Sequence, residues 1–211
     1  TASAAATAIG ALPTTLTTLN VSGTDANVGL GAAFSATGQT INVTNTTLAG
    51  TVSTIAFGAF ATQTVTTGSA NDIFNTITQD GINANGGLGD DTFNITNVLA
   101  FDDDGVMITL NGNTGTDALT FAAGLTLAVN LADTTDVSIS GIETLNLGAV
   151  GAGSTITLPA GTTFRTITGD TTAGNITATM TAAQIDALTT ITSAAAGNAF
   201  NVVSSDTGSV T

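Results

Sequence analysis

The chain has no cysteine, histidine, lysine, tyrosine or tryptophan, and Arg165 is its one basic residue. Each absence removes a class of chemistry. Without cysteine there is no disulfide, no thiolate metal site and no thiol nucleophile. Without histidine the usual general base and the usual transition-metal ligand are missing. Without lysine neither a Schiff base nor a lysine-based isopeptide crosslink can form. Paired carboxylates remain for hydrolysis, but no Tyr or Trp is present to stack a sugar. The expectation is a protein that is not an enzyme.

Positive charge is the next deficit. Fifteen acidic residues against one base give a formal charge of −14. Such a surface offers no cations to displace the counterions of nucleic acid, and none to meet an anionic membrane, so neither is an expected partner. It would attract divalent metal, or simply keep copies of the protein apart in solution. The opening TASAAATAIGAL has no basic n-region and is too short to span a bilayer, so no direct membrane insertion is expected. A chain starting at Thr1 reads as a processed product or a piece of something longer.

What the chain does have is 42% apolar residues, chiefly Ala, Val, Ile and Leu, with abundant Thr and 25 Gly. Thr, Val and Ile fit pleated strands, whereas the Lys, Arg, Glu and Gln of helix surfaces are scarce. Short blocks share an alternating apolar rhythm: LTTLNV (16–21), VSTIAF (52–57), IETLNL (142–147), FRTITG (164–169) and LTTITS (188–193). IFNTIT at Ile73 and TFNITN at Thr92 have the same character, and glycine-rich turns separate most blocks.

Taking Phe74, Phe93, Leu119, Ile142, Phe164 and Leu188 as equivalent inward residues gives steps of 19, 26, 23, 22 and 24. That is the spacing of coils in a solenoid, each covering the apolar face of the last. The fold class is therefore all-β, a parallel β-solenoid with coils of about 19–26 residues. A β-sandwich of hairpins is the alternative, with Asp80-Gly81 and Asp104-Gly105 as its two-residue turns. Helix is expected only at TAAQIDAL (181–188), where Thr181 and Gln184 have capping-box spacing, and in the Ala-rich start that Pro13 would end. One continuous domain over 1–211 is preferred, with an N-terminal β region at 1–63, aspartate-rich coils at 64–120 and Thr/Ala-rich coils at 121–211.

Within the middle region, GGLGDDTFN (86–94) fits the nine-residue pattern G-G-x-G-x-D-x-U-x at every specified position. Gly86, Gly87 and Gly89 allow turn conformations that point carbonyls inward, Asp91 adds a carboxylate, and Phe93 plugs the interior. Hard oxygen ligands without nitrogen or sulfur suit calcium. TGSANDIFN (67–75) aligns without gaps through Gly68, Asn71, Asp72 and Phe74. GNTGTDALT (112–120) aligns through Gly112, Gly115, Asp117 and Leu119. Asp90 faces solvent or bridges to a neighbouring coil. The competing reading is that these aspartates close their own Asx-turns. FDDDGV (101–106) is either a solvated acidic loop or a calcium site at a subunit contact, with Asp102 and Asp104 facing one way.

The three nonapeptides resemble RTX repeats, which wind a parallel β-roll around calcium. VSISGIETLNL (137–147) is similar to segments found beside such turns in bacterial surface-layer proteins exported by type I secretion. The chain departs from the toxins of that family in having three isolated turns on longer coils rather than tandem nonapeptides. The resemblance implies a secreted, self-assembling, calcium-dependent subunit of a cell-surface lattice or extracellular fibre, its partner being further copies of itself. An adhesin or ice-binding module is the alternative, carried by Thr166/Thr168 and Thr190/Thr192.

Overall fold

A computed structural model describes residues 7–8, 12–23, 28–30, 38–45, 54–56, 63–101, 106–148, 150–169, 175–192 and 199–206. In chain order the first strands are β1 (Thr7–Ala8), β2 (Thr18–Gly23), β3 (Val28–Leu30), β4 (Thr40–Asn45), β5 (Thr54–Ala56) and β6 (Gln63–Thr66). Then come β7 (Ile73–Ile77), β8 (Ile82–Asn85), β9 (Thr92–Ile95), β10 (Ile108–Asn111), β11 (Ala118–Phe121), β12 (Ala128–Asn130) and β13 (Val137–Ser140). The last are β14 (Thr144–Asn146), β15 (Thr155–Thr157), β16 (Thr166–Thr168), β17 (Ile176–Met180), β18 (Thr190–Thr192) and β19 (Phe200–Ser204).

Every strand pair among the described residues is parallel, so the chain is a β-solenoid and not a sandwich of hairpins. A nine-stranded sheet runs β1-β3-β5-β7-β9-β11-β14-β16-β18 along the molecule. Facing it are a six-stranded sheet, β13-β10-β8-β6-β4-β2, and then a four-stranded one, β12-β15-β17-β19. Asp80-Gly81 accordingly joins β7 to β8, strands of different sheets, and closes no hairpin. Asp104-Gly105 lies outside the described residues.

The core forms because alternation places apolar columns on the inner side of each sheet. Phe74, Phe93 and Leu119 stack in register, as the 19- and 26-residue steps predict. The Phe74 and Phe93 rings lie parallel, 4.7 Å between centroids, which is the spacing of adjacent strands. Beyond Leu119 the column continues through Leu145, Ile167 and Ile191, not through Ile142, Phe164 and Leu188. Those three sit three residues earlier. Ile142 and Phe164 are buried and Leu188 is partly so, a second row at the corner before each strand. Both rows are apolar at the same period, so spacing alone does not separate them.

TAAQIDAL forms α1 (Ala182–Ala187) with the expected reciprocal capping box between Thr181 and Gln184. Gln184 is itself buried, and its amide also donates to Pro159 O and Thr162 Oγ1, tying the helix to the preceding coil. The Ala-rich start falls largely outside the described residues; within it Thr7–Ala8 is strand β1.

Candidate metal centre

The nonapeptide turns stack at one corner, where the chain passes from the six-stranded sheet to the nine-stranded one. β6 leads into β7, β8 into β9, β10 into β11 and β13 into β14. The gapless alignment of the three motifs is also the alignment of the strands they open: Ile73 pairs with Thr92, and Thr92 with Ala118. Asp72, Asp91 and Asp117 therefore head successive rungs, and all three are buried.

Their carboxylates join the coils. The Asp72 N–H donates to Asp91 Oδ1 at 2.7 Å, and the Asp91 N–H to Asp117 Oδ1 at 2.6 Å. The Asp117 N–H donates to Glu143 Oε2 at 2.9 Å, extending the column by one carboxylate. One residue earlier, a second ladder runs the opposite way. The Asp90 N–H donates to Asn71 Oδ1 at 2.9 Å and the Thr116 N–H to Asp90 Oδ1 at 2.8 Å. Asp90 is thus both exposed and a bridge, the two options its sequence left open. The inter-coil bonds differ from simple Asx-turns, in which an aspartate caps its own backbone.

Asp91 and Asp117 each spend one oxygen, Oδ1, on the ladder. The other oxygens of Asp91 and Asp117, both Oδ2, are buried without a hydrogen-bond partner. Glycine makes the space they occupy. A Cβ on Gly86 would come within 2.0 Å of Asp91 Oδ2, and one on Gly112 within 2.4 Å of Asp117 Oδ2. Gly87, with φ +87°, brings its Cα under the Gly68 carbonyl in a conformation L side chains resist.

Burial first, then the neighbouring charges of Asp72, Asp117 and Asp90, push the Asp91 carboxyl up to about 8, against the opposing pull of the Asp72 N–H. Asp117 is pushed up to about 6 by burial, then by Glu143 and Asp90, with the Asp91 N–H opposing. At neutral pH the Asp91 carboxyl therefore favours its protonated form, and burial makes charge costly at both Asp91 and Asp117.

The carbonyls are more committed than the motif suggests. Gly68 O accepts the Leu88 N–H at 2.8 Å, Gly87 O the Thr114 N–H at 3.2 Å, and Gly86 O the Thr67 hydroxyl at 2.6 Å. Each keeps a second lone pair. The Gly89 carbonyl lies against the Cα side of Gly115. No three Asp or Glu side chains converge as a ready-made metal cluster among the described residues. What fits a hard cation is narrower: the orphaned Oδ2 atoms of Asp91 and Asp117, lying against Gly86 and Gly112. Asp102 and Asp104 lie outside the described residues.

Glu143 was not singled out by sequence. Its signal was present, since Glu143 precedes Leu145 by two residues as Asp117 precedes Leu119. The signal is masked because Ile142, like Leu145, is apolar and buried and offers a second inward position at the same period. Among the described residues no helix is long and apolar enough to cross a membrane. No family model, curated protein or solved structure matches the chain.

Proposed function

We propose that this chain is a structural, self-assembling subunit of a bacterial cell-surface layer or extracellular fibre, secreted and stabilised by calcium, with no reaction to catalyse. The observation that carries the reading is the buried carboxylate column at the turn corner, with the orphaned Oδ2 atoms of Asp91 and Asp117. Bound calcium would supply positive charge and a high, flexible coordination number for oxygen ligands. Asp91 and Asp117 would hold it, with the second lone pairs of the turn carbonyls. The same residues fix the coil-to-coil register through their Oδ1 atoms, so occupancy and rigidity are linked in one side chain.

Assembly follows from charge. A net charge of −14 opposes self-association, and filling the column lowers it. The test is thermal melting and light scattering across a calcium titration, with magnesium and chelator as controls. Calcium is expected to raise Tm and scattering, magnesium to do so poorly, and chelator to reverse both. An unchanged Tm on chelation would remove the reading.

A second reading, an adhesin or ice-binding module, is favoured by one observation. Thr144, Thr166 and Thr190 stack in register, as do Asn146, Thr168 and Thr192 beside them. Inhibition of ice recrystallisation by a strictly monomeric protein at millimolar calcium would select it.

A further inference from the structure

The acidic residues are not spread over this molecule. Among the described residues every Asp and Glu lies in a turn, a connection or α1, and none lies within a strand. The six-stranded sheet shows the consequence most fully. Its outward side chains form two columns in continuous register. One runs Thr18, Thr40, Thr64, Asn83, Thr109 and Ser138. The other runs Asn20, Asn42, Thr66, Asn85, Asn111 and Ser140. Every one is a hydroxyl or a carboxamide. Beneath them Ile41, Val65, Ala84 and Leu110 are buried, so solvation alone would have tolerated charge on the outer side of each strand.

We propose that this six-stranded face is the lateral contact between copies of the chain, and it rests on the self-assembly reading above. Three physical arguments select a second copy as the occupant. Threonine, serine and asparagine each donate and accept, so the face is hydrogen-bond complementary to itself, as Asn42 Nδ2 to Asn20 Oδ1 at 2.9 Å already demonstrates within one copy. A second copy also has the same rung repeat of about 4.8 Å, so its side-chain rows mesh along the whole face. A charged partner would find no ion pair here, whereas two copies can close without bringing carboxylates into the contact; the acids stay at the corners, where cations reach them.

Size sets the strength. Six strands of about five residues make a face of about 450 Å² per partner, or about 900 Å² for a pair. That is below the roughly 1,000 Å² that a stable isolated dimer needs. One such contact is weak, and it becomes persistent only when many copies repeat it in an array.

The chain has no cysteine, so a single introduced one reports proximity without background. Asn83→Cys places a thiol near the middle of the face, and Thr168→Cys places one on the nine-stranded sheet as control. Both are oxidised in calcium and, separately, in chelator with about 1 M NaCl, where the Debye length falls to about 3 Å and repulsion is screened. Disulfide-linked dimers are expected to form about tenfold faster from Asn83→Cys than from Thr168→Cys in both conditions, because the contact raises the local thiol concentration. Equal rates, or a faster control, overturn the proposal, including where the protein instead proves to inhibit ice growth. A preference for Asn83→Cys that persists while calcium leaves Tm unchanged would sink the calcium reading and leave this face standing.

Discussion

Asp91 is an acid held where its charge is costly, and its environment makes opposite predictions with and without metal. Its folded pKa is raised from 3.8 to about 8, so between those values the folded state binds more protons than the unfolded state. Stability then falls as pH rises through that window. Asp117, raised to about 6, acts in the same direction over the lower part of it. In chelator, the protein is expected to melt at a higher temperature at pH 5 than at pH 8, the reverse of a protein held by salt-bridged carboxylates. Asp91→Asn keeps an acceptor for the Asp72 N–H and removes the charge. It should raise Tm in chelator at pH 8 and at least halve the increment that calcium adds. If Asp91→Asn lowers Tm equally in calcium and chelator, the carboxylate serves the ladder alone. Gly86→Ala tests the cradle, because its methyl would displace Asp91 Oδ2; the overpacking should cost about 1–3 kcal/mol in either buffer.

At the scale of elements, the coils are held by main-chain ladders whose side chains are interchangeable only within limits. The Phe74–Phe93 stack fills the interior of two successive rungs. Phe93→Ala should cost about 3–5 kcal/mol by chemical denaturation, while loss of the α1 cap in Thr181→Ala should cost only about 1 kcal/mol. Arg165 gives a test with no substitution at all. It is exposed and is the one trypsin site in the chain, yet its N–H donates to Glu143 O at 2.8 Å and its carbonyl accepts the Thr189 N–H at 2.8 Å. The scissile bond is locked between two neighbouring coils, so cleavage of the folded protein is expected to be slow and to track unfolding. Rapid cleavage in calcium would mean that the β14-β16-β18 pairing is loose. These elements also mark what sequence can convey. The three nonapeptides were legible because glycine, aspartate and the apolar plug occupy fixed positions, and their alignment is the strand register. The helix was legible through Thr181 and Gln184. The C-terminal register was not, because Ile142 and Leu145, like Phe164 and Ile167, are both apolar, both buried and three residues apart. The uncharged outer columns are not legible in the linear sequence, because they exist only when strands from six coils lie side by side.

For the molecule as a whole, two electrostatic effects of calcium must be separated. Fifteen acidic residues repel one another across the surface, and any added cation relieves that repulsion by screening. The buried oxygens of Asp91 and Asp117 are different, since salt screens them far less than surface charges and only a proton or a cation entering the turn stack would neutralise them. Salt distinguishes the two. In about 1 M NaCl, where the Debye length is about 3 Å, surface repulsion is already suppressed and further screening by millimolar calcium adds nothing. A site in the column would still be filled, and calcium at a hundredfold excess over its dissociation constant would still add about 2.7 kcal/mol per independent site. Because each coil of a solenoid contacts only its neighbours, that gain should be concentrated in the coils carrying β7, β9 and β11. Hydrogen exchange in high salt is therefore expected to slow on calcium addition at the Asp72, Asp91 and Asp117 amides, which donate along the column, and to change little at β17 and β19. Uniform slowing along the chain, or a calcium increment in Tm that vanishes in high salt, would mean that calcium acts on the surface charge and not at the turn corner.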